Sequence, residues 1–218
     1  MSEVNLIALS SPSAITECHT AGELIAYTAR VSNPANQNNT ETAPRLLSYL
    51  IREQHWSPFE MVHMTLEIKT TRDIARQILR HRSFSYQEFS QRYAVAPGFE
   101  SREARLQDEK NRQNSVETDD RNLNEWWQME QKKVQARVEM SYKDALAKGI
   151  AKEQARALLP EGLTQSTIYM AGSLRSWIHY CDLRRGNGTQ KEHSEVADKC
   201  WEIIGVHFPD IVAALEDD

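Results

Sequence analysis

The chain has 218 residues and only three cysteines, Cys18, Cys181 and Cys200, odd in number and widely spaced. That excludes a disulfide-stapled scaffold and points to free thiols in a reducing, cytoplasmic setting. No apolar run approaches the roughly 18–20 residues of a membrane span. The first residues, Met1-Ser2-Glu3-Val4-Asn5, lack the basic region and apolar core of a signal peptide. No glycine-rich dinucleotide fingerprint occurs among the 8 glycines. There is no global excess of positive charge either. The net charge is −5, so binding to nucleic acid would need a local basic patch.

One stretch supplies such a patch. Residues 72–93 carry Arg72, Arg76, Arg80, His81, Arg82 and Arg92. A helix over 72–80 sets Ile74, Ala75, Ile78 and Leu79 in one apolar stripe and stacks Arg72, Arg76 and Arg80 on another face. Like charges at that spacing repel by a few tenths of a kcal/mol per pair, which an acidic neighbour or a bound phosphate would offset. Beyond Arg82 an extended chain points Glu88, Ser90 and Arg92 the same way. A carboxylate, a hydroxyl and a guanidinium together suit a sugar and its phosphate. The bland alternative is a solvated charged face.

Elsewhere, residues 4–9 and 164–171 read as strands. Residues 61–70 alternate, with Val62, Met64, Leu66 and Ile68 on one face. Helices are expected over 14–31 (capped by Ser13), 43–54, 126–148 (ended by Gly149), 151–159, 173–184 (capped by Ser173), 190–206 and after Pro209. Arg185-Gly186-Asn187-Gly188 reads as a sharp turn. Residues 100–125 are charged and polar, and read as an exposed loop insertion or partial disorder. His55-x-Ser57-x-x-Glu60 matches no zinc spacing, so no metal is expected. None of the cysteines has a neighbouring cluster that would make a thiolate.

The run Arg80-His81-Arg82-x-x-Ser85-x-Gln87-x-x-Ser90-x-Arg92 resembles the signature of the flavin-dependent thymidylate synthases. The pieces His55–Glu60, Arg156–Pro160, Ser173–Arg184 and Gln190-x-Glu192 follow in that family's order. At position 87 the amide is Gln, where Asn is commoner in the family.

The resemblance implies a mixed α/β (α+β) single domain over 1–218, with a central sheet and flanking helices, assembled as a homotetramer whose sites are shared between subunits. It implies methylation of dUMP to dTMP, with methylenetetrahydrofolate as carbon donor and NADPH as reductant through FAD. By the same carry-over, Gln77, Arg80, Glu88, Phe89, Ser90, Gln91, Arg92, Arg156 and Arg184 would hold dUMP. Arg184 would also polarise the uracil ring. His55, Ser57, Arg80, His81, Arg82, Glu88, Ser173, Arg175 and His179 would face FAD. No membrane or nucleic-acid partner is implied. One non-enzymatic alternative stays open: Phe84, Tyr86, Phe89 and Tyr93 interleave the cations as in a single-strand nucleic-acid surface, although the net charge and Glu88 oppose it.

Overall fold

The alternation at Val62–Ile68 sets the architecture, because Val62, Met64, Leu66 and Ile68 are each at most 1% exposed while His63 and Lys69 face outward. In the computed structural model, which describes residues 2–186 and 188–216, this segment leads into and lies mostly within the nine-residue strand β2, His63–Thr71. With β1 Glu3–Leu9, β3 Ser85–Glu88 and β6 Gln165–Ser173 it builds a four-stranded sheet in the order β1-β2-β6-β3. Every pairing is antiparallel, and β2 and β6 match along their whole length, from His63 opposite Ser173 to Thr71 opposite Gln165. Two short strands, β4 Arg105–Gln107 and β5 Ser115–Glu117, form a separate hairpin.

Eight α-helices occur among the described residues: α1 Ala21–Ala29, α2 Ala43–Arg52, α3 Arg72–Ile78, α4 Arg121–Ala147, α5 Lys152–Ala155, α6 Leu174–Arg185, α7 Lys191–His207 and α8 Pro209–Glu216. The core lies between the sheet and helices α3, α6, α7 and α8, around Phe59, Ile74, Ile78, Trp177, Tyr180, Val196 and Ile204. Gly172 is required where it stands, because a Cβ there would meet the Phe84 ring at 2.4 Å. No helix among the described residues is long and apolar enough to cross a membrane.

Several expectations need correction. The helix expected over 14–31 is split into a 3-10 turn at Ala14–Thr16 and α1. Its cap is Thr20, which forms a capping box with Glu23. The Asp210 carboxylate of α8 reinforces the same helix start, accepting from Thr20 Oγ1 at 2.9 Å and from the Gly22 amide at 3.0 Å. The polar segment 100–125 is loop over much of its length but not featureless: it holds the β4–β5 hairpin and the first turn of α4. Asn and Asp side chains organise the hairpin tip, with Asp108 accepting from the Lys110 and Asn111 amides. On α4, Trp126, Met129, Val134 and Met140 are exposed on more than one side of the helix, while Tyr142 is buried. The helix expected over 151–159 is one turn of α5 followed by a 3-10 turn, Arg156–Leu158. The turn expected at 185–188 includes Asn187, which lies outside the described residues.

Two helix ends show how backbone chemistry shapes the loops. Gly149 ends α4 with φ 83°, and the Gly149 and Ile150 amides donate to Leu146 and Ala145. α2 ends the same way, but with Gln54 in the left-handed position (φ 56°) and the His55 amide donating to the Leu50 carbonyl at 2.7 Å. An L side chain there carries steric strain. Gln54→Gly is therefore expected to stabilise the fold by about 1 kcal/mol, measured as a raised denaturant midpoint. An unchanged or lowered midpoint would show that the Gln54 side chain offsets the strain.

Candidate active site

The β2-to-α3 junction starts the first part of the site. Thr71 is extended, the Arg72 amide donates to the Thr164 carbonyl at 2.9 Å, and α3 begins at once. This sets Arg72 and Arg76 beside the turn that carries Arg156. The three arginines line an open cavity of about 430 Å3 together with Gln91, Glu153, Ala157, Leu159 and Glu161. Acidic neighbours hold most of these cations in place: Arg72 to Glu88 at 3.2 Å, Arg76 to Glu161 at 2.9 Å and, beside the cavity, Arg92 to Glu153 at 3.2 Å. Ser166 also donates to Glu88 at 3.0 Å. Gln91 is only 5% exposed, yet its Nε2 donor has no partner. A buried unpaired donor costs about 1–3 kcal/mol, a cost that an oxygen acceptor reaching this amide would remove.

The extended reading of 84–92 holds only for β3. Residues 91–93 form a turn, in which the Tyr93 and Ala94 amides donate to the Ser90 carbonyl. Glu88 and Arg92 therefore engage different partners, Arg72 and Glu153, instead of lying side by side.

The second part lies where α3 ends and α6 ends. Arg184 Nε donates to His81 Nε2 at 2.8 Å. Burial, then the Arg184 charge, lowers the His81 pKa from 6.5 to about 4, so the imidazole is neutral and can accept. The His81 main chain is held through its carbonyl, 2.8 Å from the Tyr86 hydroxyl, which also lies 2.9 Å from the Ile78 carbonyl. The His81 ring rests edge-on against Tyr180 at 4.9 Å. Tyr180 bonds to His193, and His193 to Gln77. Burial, with Arg184 and His81 adding, lowers the His193 pKa to about 3. On α6, Trp177 and Tyr180 are buried and Arg184, further along the same face, is half-buried.

The third part surrounds the start of α6. Ser173 caps that helix through the Ser176 amide at 3.3 Å, and Arg175 donates to Glu60 at 2.8 Å. A hydrogen bond from Ser173, against the opposing effect of burial and with smaller help from Arg175, holds the Glu60 carboxyl below its usual range. His55 and Ser57 are exposed, His55 packing edge-on against Tyr49 at 6.0 Å. His179 lies against Trp56 at 4.7 Å, and burial followed by Arg175 lowers its pKa.

Within one chain, then, Glu88, Gln91, Arg92 and Arg156 gather around the cavity with Arg72 and Arg76, and Phe89 and Ser90 lie half-buried between Glu88 and Gln91 in the chain. Past the end of α3, His81 meets Arg184, while Gln77, next to Arg76 on α3, bonds to His193 and Gln190. Ser173 and Arg175 meet at Glu60, with His179 a turn or more further along the same helix. Arg80 and Arg82 are exposed and form no ion pair among the described residues. The roles of Glu153, Glu161 and His193 had no sequence signal: the first two are ordinary surface acids, and His193 has the same helical spacing as Val196, Ala197 and Cys200.

The sheet, its strand order and these clusters define a mixed α/β protein with an arginine-lined cavity beside its central strands. Along its whole length this fold is similar to a UMP/dUMP methylase from Streptomyces cacaoi, with a TM-score of 0.84, 24% identity and coverage of 95% of that chain. Residues 14–210 match the family described as thymidylate synthase complementing protein. The chain is 54% identical to a probable flavin-dependent thymidylate synthase of Paramecium bursaria Chlorella virus 1, over 97% of both chains. It is 51% identical to the flavin-dependent thymidylate synthase of Synechocystis sp., over 98% of this chain and 99% of the relative. The chain therefore belongs to the thymidylate synthase complementing protein family.

The two neutral imidazoles carry a pH dependence. An unfolded chain takes up their protons first as pH falls, so their contribution to stability is complete above about 6.5. For His81 it is lost as pH falls to about 4. Denaturant midpoints should decline through that interval, and a flat profile would show that the imidazoles are charged or uncoupled from folding.

Proposed function

We propose that this chain makes dTMP from dUMP, taking the carbon from methylenetetrahydrofolate and its reducing power from NADPH through bound FAD. The observation that carries the reading is the Gln91 amide, a buried donor without a partner in a cavity lined by Arg72, Arg76 and Arg156, in a chain whose relatives are named flavin-dependent thymidylate synthases. Arg156, Gln91, Ser90 and Arg92 hold the phosphate and sugar, with Arg80, Phe89 and Gln77 completing the nucleotide side. Glu88, already held by Arg72 and Ser166, offers its remaining lone pairs to a sugar hydroxyl.

Arg184 acts on the base. Its Nε is engaged by His81, and its four Nη protons take part in no hydrogen bond among the described residues. They are free to bind the uracil oxygens and to stabilise the negative charge that develops on the ring. A thiol is not needed for this. Burial raises the Cys181 thiol to about 12 and keeps Cys200 well above its usual value, so neither forms a thiolate near neutrality.

The residues present fit a flavin. Arg80 and Arg82 are exposed cations suited to a pyrophosphate. Ser57, His55, His81, Arg175 and His179, with Ser173 behind them, supply polar donors and an aromatic edge. When bound, that group supplies the two-electron redox chemistry the reaction needs. The exposed apolar residues of α4 and the separation of the three clusters support a homotetramer with sites shared between copies. Buried thiols and use of NADPH suit the cytoplasm.

The nucleic-acid alternative is weakened by the aromatics. Phe84 is buried, Tyr86 is half-buried with its hydroxyl bonded, and only Tyr93 stands well clear at 82% exposed.

An assay for dTMP from dUMP, methylenetetrahydrofolate and NADPH, with and without FAD, tests the proposal. A colourless protein that binds no FAD and forms no dTMP would overturn it, and NADPH oxidation without dTMP would reduce it to a flavin reductase. Arg184→Ala should lose roughly 10^2–10^3 in kcat while the fold survives, and a variant lacking all three cysteines should stay active. Near-normal turnover of the first, or loss of activity in a folded form of the second, would move the chemistry away from Arg184 or towards a thiol.

A further inference from the structure

Five side chains behind Arg184 form one hydrogen-bonded line that ends in a carboxylate. Tyr180 on α6 bonds through its hydroxyl to His193 Nε2 at 3.1 Å. His193 Nδ1 lies 3.2 Å from Gln77 Oε1 on α3. Gln77 Nε2 donates to Gln190 Oε1 at 2.8 Å, and Gln190 Nε2 donates to Glu192 Oε2 at 2.9 Å. The other Glu192 oxygen is gripped by Arg105, from the β4 strand of the polar segment 100–125.

The direction of every bond follows from the far end. An ionised carboxylate can only accept. Gln190 must therefore turn its NH2 to Glu192 and its carbonyl oxygen to Gln77. Gln77 must turn its NH2 to Gln190 and its oxygen to His193. His193 must then carry its proton on Nδ1, which leaves Nε2 bare to accept from Tyr180. His193 is fully buried among Tyr180, Gln77 and the core, and His81 stands edge-on to it at 6.3 Å. The groups charged or titratable around it are His81, Arg184, Tyr180 and, through Gln190, Glu192 with Arg105. The one acid in the line lies at the end remote from Arg184.

We propose that this line is a positioning device for Arg184: Glu192 and Arg105 fix the His193 tautomer, His193 fixes the Tyr180 ring, and that ring holds the His81 imidazole in the orientation in which its Nε2 accepts from Arg184 Nε. Tyr180, His193 and Glu192 thereby act through other residues and touch no reactant. The segment 100–125 gains a task in the same step, since Arg105 anchors the line from outside the core. The inference rests on the proposed function for its kinetic readout, and on hydrogen-bond chemistry alone for its structural one.

The test uses full-length protein with 15N-labelled histidine, together with the variants Tyr180→Phe and Glu192→Gln. In the unaltered protein at neutral pH, NMR should show His193 protonated at Nδ1 and bare at Nε2, with His81 bare at Nε2. Glu192→Gln keeps the shape but can also donate, so the line loses its fixed direction and His193 should become a mixture of tautomers. Tyr180→Phe should lower kcat about tenfold, and Glu192→Gln about threefold. Affinity for dUMP and the flavin absorbance should change by less than about twofold in either. The double variant should be no worse than Tyr180→Phe alone, because both break one line.

A merely structural role would instead lower dUMP affinity, melting temperature and kcat together. His193 protonated at Nε2 in the unaltered protein, or Tyr180→Phe turning over at the normal rate, would overturn the proposal. If Tyr180→Phe fails to fold, the tautomers of the unaltered protein and of Glu192→Gln decide. If the unaltered protein forms no dTMP, the proposed function fails while the tautomers still settle the positioning line.

Discussion

The pairing of β2 with β6 is the constraint on which the rest depends. Both strands are nine residues long and antiparallel, and each runs directly into a helix, β2 into α3 and β6 into α6. The two helices therefore leave from opposite ends of the same strand pair and run back towards each other. A nine-residue strand spans ~30 Å. Helices of twelve and seven residues cover about 18 and about 10 Å, which is nearly the same length. Their ends accordingly meet, and the Arg184–His81 bond lies where they do. A slip of one residue in the β2–β6 register would turn every side chain to the other face and move both helix starts. Core packing and site geometry are thus one specification.

That specification was readable in part. The period-two run 62–68 marks β2 and its buried face, and the helix expected over 43–54 is α2, because burial there follows from local pattern. The arginine stripe Arg72–Arg76–Arg80 was also legible as a stripe needing anions. Its partners Glu88 and Glu161 were not, since ion pairing across 16 and 85 positions is decided by how the sheet brings segments together. The hairpin within 100–125 escaped for a different reason. Its three-residue strands are too short to show alternation, and Asn and Asp turn bonding holds them as much as burial does.

Periodicity reports that a face is apolar but not what covers it: Trp126, Met129, Val134 and Met140 of α4 are exposed in a single chain. Trp177 and Tyr180 are buried despite their polar atoms, because an indole or phenol is apolar over most of its surface and needs only one partner for its polar atom. Trp177 finds the Met64 carbonyl at 3.0 Å, and Tyr180 finds His193. At the site itself, residue type announced the charged groups well. The neutral ones, Gln77 and His193, gain their importance only from the direction of the bonds they make.

The Asp210 carboxylate has a consequence for the order in which the molecule can be built. It holds the start of α1 across 188 positions of sequence, and Lys199 reaches back to the Ser2 carbonyl. The first strand and first helix therefore lack part of their anchoring until residue 210 has left the ribosome. Contacts so distant in sequence close slowly. During synthesis the early segments must wait with apolar surface uncovered, and a nascent chain stalled before α8 is the form most in need of a chaperone.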